Sequence, residues 1–89
     1  MAILYNTPAE SVRVFVDFNP HEKTTIVRPV AFLWNGKRYE VSKVNLVYRK
    51  YVGTRYVWCF AVSDEANTYG LTYDPEKLTW TINEVQMEG

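Results

Sequence analysis

The 89-residue chain predicts an all-β fold: an antiparallel meander of six or seven short strands, curled into a small, half-open barrel. Three observations carry this expectation. Apolar and polar residues alternate in one run after another, the period of half-buried strands, and no stretch sustains a helical period. Tight-turn sequences separate the runs, above all Asn35-Gly36, Val52-Gly53-Thr54 and Asp74-Pro75-Glu76-Lys77. Aromatic rings, 16% of the residues, supply the bulk for the one core that a chain of this length can build. A single domain follows, with residues 1–10 and 86–89 the candidates for looser order. Curling protects sheet edges; an open sheet completed by dimerisation is the competing architecture.

In chain order, Met1 to Tyr5 reads as an edge strand or a fraying end, since Pro8 biases Thr7 away from helix. Val12 to Phe18 is the first firm strand, with Val12, Val14, Val16 and Phe18 on one face and Phe15 unexplained on the other. Asn19-Pro20-His21-Glu22-Lys23 is turn chemistry. The next strand begins at Ile26 or Val30 and ends at Trp34; Pro29 cannot donate to a ladder and belongs at a strand start, a bulge or an edge. Asn35-Gly36 readily takes the positive φ angles of a type I′ turn, so Pro29 to Val44 is a β-hairpin. From Lys37 to Tyr51 the apolar phase changes from Tyr39 and Val41 to Val44, Leu46 and Tyr48. A period of two changes phase only with an extra residue, which predicts one long strand with a bulge or sharp bend at Ser42-Lys43. Arg55 to Ser63 has Tyr56, Trp58, Phe60 and Val62 on its core face and Val57, Cys59 and Ala61 on a partly covered reverse. Thr68 to Tyr73 alternates around Gly70, and Leu78 to Val85 buries Leu78, Trp80 and Ile82.

Composition narrows the function classes. One cysteine excludes an intramolecular disulfide and no secretory leader pattern opens the sequence, which points to a reducing, cytoplasmic setting. No apolar run approaches the length of a spanning helix, so no membrane role is expected. With one Cys and one His, a zinc site would have to be mostly carboxylate, and neither metal nor cofactor is expected. His21 reads as solvated, Cys59 as a small residue packed in a sheet, and the acid pairs Asp64-Glu65 and Asp74/Glu76 as turn residues. No nucleophile elbow, P-loop or dinucleotide fingerprint is present, and the reading leans away from an enzyme.

The formal net charge is zero but unevenly placed. Lys37 to Arg55 holds six bases against Glu40, a net of +5, and Asp64 to Gly89 holds six acids against Lys77, a net of −5. These charges either pair across adjacent strands or form a surface dipole that steers a partner. Small β-barrels bind single strands through cationic grooves and aromatic platforms, which makes Arg38, Lys43, Arg49, Lys50, Tyr51 and Arg55 the candidate nucleic-acid contacts. A second hypothesis uses Phe15, Leu33, Val47 and Tyr51, apolar residues out of phase with the expected core, as a protein-binding or homodimer patch.

Arg28-Pro29 through Tyr39-Glu40-Val41, the strand bearing Trp58, and Tyr69-Gly70-Leu71-Thr72-Tyr73-Asp74 before the Trp80 strand resemble a family of short bacterial all-β proteins of unknown function. Its members read roughly Pro-x-x-Phe-x-Trp-x-Gly-x-x-Tyr-x-Val, then Tyr-x-Leu-x-Tyr-Asp. The resemblance runs from about Ser11 to Val85. Related domains lie at the C-terminus of proteins similar to Y-family DNA polymerases, so it implies a nucleic-acid-associated or DNA-repair accessory module, with single-stranded nucleic acid or a DNA-repair protein as partner. This chain departs from the family in Tyr48 and Tyr51, where relatives tend to carry Trp, and in a shorter connection before Tyr56. It has no polymerase motif, and no catalytic residue carries over.

Overall fold

The computed structural model describes residues 2–23 and 26–88, with side chains for 9–23 and 26–86. Every regular element in them is a strand: β1 (Ala2–Ser11), β2 (Arg13–Phe18), β3 (Val27–Trp34), β4 (Lys37–Glu40), β5 (Lys43–Val52), β6 (Arg55–Ser63), β7 (Asn67–Asp74) and β8 (Thr79–Glu88). They form two antiparallel sheets, β1-β8-β7-β6-β5 and β2-β3-β4. The sheets face one another across the core and are joined where the chain passes from one to the other, so the fold is a half-open barrel.

Two corners make those passages. At the first, Ser11 pairs with Thr81 and the Val12 N–H donates to the Trp80 carbonyl at 3.0 Å, while Arg13 already pairs with Leu33 in the smaller sheet. At the second, the Val41 N–H donates to Val30 O in the smaller sheet and the Ser42 N–H to Ser63 O in the larger, both at 2.9 Å. The Ser42 hydroxyl adds a second bond to the same carbonyl. The bend expected at Ser42-Lys43 is this corner, and the single strand expected from Lys37 to Tyr51 is two strands in different sheets.

The turns follow their sequences. Asn35 and Gly36 both have positive φ, 53° and 73°, as a type I′ turn requires, and Trp34 closes the hairpin with Lys37. Gly53 at φ 66° opens the two-residue loop between β5 and β6, the glycine-first pattern of a type II′ turn. Asp74 begins the β7–β8 loop, its Oδ1 accepting the N–H groups of Glu76 and Lys77. Leu78, expected in the core, ends that loop at φ 57° and is 75% exposed.

Pairing places the inner face of the larger sheet in rows. Val44, Val62, Tyr69 and Val85 are in register, as are Val47, Phe60, Leu71 and Ile82. Most of these residues form the buried core with Phe32 of β3, and Val44 and Val47 pack against it. Phe32 stacks on Tyr39 at 5.1 Å and meets the edge of Tyr69 at the same distance. Bulges set which residues reach these rows. Asn45 is the extra residue between the pairs Val44↔Val62 and Leu46↔Ala61, so Val47 turns inward, while Leu46 and Tyr48, expected in the core, face out and are about half exposed. Asn83 is extra between Ile82 and Glu84 in the same way and brings Val85 inside. At the ends, β1 pairs with β8 from Ala2↔Glu88 onward, with a register shift across the segment holding Pro8.

Candidate ligand-binding cleft

The larger sheet extends past the cover given by the smaller one. Beyond the row that ends on Ile82, the next pairs in register are Arg49↔Trp58, Trp58↔Tyr73 and Tyr73↔Trp80, one residue from each of four adjacent strands. Past them, Tyr51 pairs with Tyr56 next to the β5–β6 turn. Successive residues two apart share a face, so the alternation that fills the core also places these rings on its open continuation. Trp58 and Tyr56, expected as core, are therefore 39% and 37% exposed, and Tyr51 is 64% exposed.

The rings fall into two groups, with Arg49 over the ring of Trp58 and that of Tyr56. Trp80 lies 5.2 Å from Phe60 and 5.0 Å from Tyr73, centroid to centroid. The Arg49 guanidinium sits 4.6 Å over Tyr56 and 5.7 Å over Trp58, a cation–π arrangement that orients its charge along the rings. Tyr51 and Tyr56 lie 4.1 Å apart, with the Tyr56 hydroxyl donating to that of Tyr51. The hydrogen bond with Tyr56 holds the Tyr51 hydroxyl above its ordinary range. Between this surface and the start of β3 lies a cavity of about 350 Å³, lined by Lys23, Ile26, Val27, Val47, Trp58, Phe60 and Tyr73. It has the concave, mostly apolar form with a few polar groups that suits a flat or extended ligand.

The six candidate nucleic-acid contacts are spread over several surfaces. Arg49 and Tyr51 meet in the cleft. Lys50 points to the opposite face of the sheet, in register with Val57. Lys43 opens β5 opposite Ser63, beside the second corner. Arg38 lies on the smaller sheet, ion-paired to Glu40 at 2.5 Å and stacked 4.7 Å over Phe15. Arg55 is held by Asp74 at 2.7 Å and Glu76 at 3.4 Å, which pairs the basic middle with the acidic third at one point and locks the two loops together. The apolar set divides likewise: Val47 and Tyr51 line the cleft side, whereas Phe15 and Leu33 lie on the smaller sheet, with the guanidinium groups of Arg13 and Arg38 over the Phe15 ring.

Trp58, Tyr73 and Trp80 were the residues sequence reasoning passed over as site members. Their alternation signals a buried face, and only the unequal width of the two sheets uncovers it.

A second cavity of about 430 Å³ lies by the second corner, between Lys37–Ser42 and Asp64–Tyr69. Of its carboxylates, Asp64 accepts the N–H groups of Ala66 and Asn67 at 2.8 and 2.7 Å and the Tyr69 hydroxyl at 2.9 Å, and Glu40 pairs with Arg38. Cys59 is buried beneath the outer face, in register with Tyr48 and Thr72. Among the described residues no three His, Cys, Asp or Glu side chains cluster as a metal site, and no helix is long and apolar enough to cross a membrane. The chain matches no protein-family model, no curated protein and no solved structure.

Proposed function

We propose that this protein is a non-catalytic interaction module of the bacterial cytoplasm that binds single-stranded nucleic acid on the inner-face rings of its larger sheet. The observation that carries the reading is the row Arg49–Trp58–Tyr73–Trp80 with the Tyr51–Tyr56 pair beside it: exposed Trp58, Tyr56 and Tyr51 continue the half-buried Tyr73 and Trp80, with a guanidinium laid along them. Every base has a π-face, so such a surface accepts bases without reading sequence, while Lys23 at the cavity and Arg49 over Tyr56 and Trp58 meet phosphates. The resemblance to domains attached to Y-family polymerase-like proteins supports the same ligand class and a role as a DNA-repair accessory. The other bases of the middle segment are paired or displayed elsewhere, so the affinity rests on stacking, and its salt dependence is shallow, of the order expected for one or two phosphate contacts.

The test is a titration with mixed single-stranded DNA and RNA oligomers at low and physiological salt, followed by amide NMR and by tryptophan fluorescence. Binding shifts the Trp58 indole and the amides of Arg49 to Trp58. Replacing Trp58 or Tyr56 by Ala weakens binding about 5- to 150-fold, the range given by the loss of one base stack. Arg49→Glu weakens it as well, whereas Lys50→Glu, on the opposite face, leaves it nearly unchanged. Equal losses from Arg49→Glu and Lys50→Glu, or no shift at the Trp58 indole, would rule out the cleft.

A further inference from the structure

β5 is an edge of the larger sheet, and the features of that edge distinguish it from the other three. β1 contains Pro8, which lacks an N–H, together with a register shift; β2 is six residues long and β4 four. β5 runs ten residues, contains no proline, and carries Lys43, Arg49 and Lys50 with no acid. Such an edge presents a row of backbone donors and acceptors to any chain that can lie along it.

The hairpin fixes which groups those are. A two-residue loop, Gly53-Thr54, makes Val52 and Arg55 the closing pair that exchanges both backbone hydrogen bonds, and bonded pairs then alternate with non-bonded ones. Lys50↔Val57 and Tyr48↔Cys59 are thus bonded, and Tyr51↔Tyr56, Arg49↔Trp58 and Val47↔Phe60 are not. The close approach of the Tyr51 and Tyr56 rings agrees, because side chains stand nearest in non-bonded pairs. The N–H and C=O groups of Val47, Arg49 and Tyr51 therefore turn away from β6 toward the opening between β5 and β3, about 7 Å apart along the strand. Among the described residues, no backbone group on that side pairs with them.

We infer that this edge is a docking site for an extended, acidic segment of a partner protein, which adds to the larger sheet as a further strand. Backbone bonding to Val47, Arg49 and Tyr51 supplies the register. Alternate side chains of the guest face the apolar cavity beside Val47 and Val27. Charge selects the occupant. A second copy would bring two strands with three cations each edge to edge, while a guest carrying Glu or Asp at the alternate positions opposite its cavity-facing residues meets Lys43 and Lys50. The inference rests on the backbone of β5 and shares with the nucleic-acid reading only the cavity beside Val47.

The probe is a short capped peptide alternating Glu with Val, titrated into the full chain with amide exchange followed by NMR. Binding slows exchange at Val47, Arg49 and Tyr51 and leaves Tyr48 and Lys50, already bonded to β6, unchanged. N-methylation of alternate peptide nitrogens, or Lys in place of Glu, weakens binding about tenfold or more. Tyr56→Ala, outside the lining of that cavity, keeps peptide binding while weakening oligonucleotide stacking, so the two readings fail separately. Equal binding of the Lys peptide, exchange unaltered at those three amides, or a protein dimer that forms through β5 without peptide would each overturn the inference.

Discussion

Asp64 illustrates how one side chain fixes a turn. Partial burial pushes its carboxyl up, but the N–H groups of Asn67 and Ala66 and the Tyr69 hydroxyl outweigh that, and it lies below the ordinary 3.8. Asp74 behaves alike: desolvation raises it, but the Lys77 and Glu76 N–H groups with the Arg55 guanidinium bring it below its ordinary value. A depressed carboxyl contributes stability that is complete above its unfolded value and is lost as pH falls through the folded one. Thermal melts followed by circular dichroism should therefore hold near neutral pH and decline below about pH 4, and Asp64→Asn should make that decline shallower. At the alkaline end Tyr69, pushed up to about 12 mainly by burial, contributes stability below pH 10 that disappears as pH rises through that folded value. The sequence identifies Asp64 as a turn acid. Its bond to Tyr69, a core residue of the next strand, appears only once the hairpin register is known.

Strand existence and turn type were legible because they depend on neighbours in sequence: Asn35-Gly36, Gly53 and Asp74-Pro75 each adopt the geometry their chemistry favours. Face assignment was less so, because it is altered by single extra residues. Leu46 and Tyr48 alternate as convincingly as Val47 and Tyr51, and nothing in the sequence marks Asn45 as the bulge that reverses them. Leu78 misled differently, since an apolar residue before a strand reads as its first inward position although the four-residue loop needs a left-handed backbone there. A branched side chain at that φ costs about 1–2 kcal/mol. Leu78→Gly, which removes little buried surface, should raise stability by up to about 1 kcal/mol after the added flexibility of the unfolded chain is counted, as urea unfolding would measure.

The whole molecule is a narrow sheet laid over a wide one. Phe32 joins them: it is fully buried and packs on Tyr39 of its own sheet and Tyr69 of the other. Phe32→Ala should cost about 3–5 kcal/mol, a large share of the stability of a domain this size. A fall in Tm of about 15 °C or more in scanning calorimetry is expected. Because the cover ends before the Arg49–Trp58–Tyr73–Trp80 row, the same mismatch in width that leaves the core small also exposes the rings assigned to the ligand. Trp34 Nε1, donating to Glu10 Oε2 at 3.0 Å, fastens the other end of the pair, so the opening lies on the β3–β5 side.

The pairing of β1 with β8 also bears on how the chain reaches this state. Ala2 meets Glu88, so that contact closes a loop of nearly the entire sequence, whereas β5 through β8 assemble by successive hairpins with short connections. The entropy of closing a loop grows with its length, and contacts between distant residues form late. The hairpin ladder is therefore the expected nucleus and β1 the expected last strand to arrive, an order that pulse-labelled amide exchange during refolding would check by late protection of β8 on its β1 side. During that interval the far side of β8 is itself a bare strand.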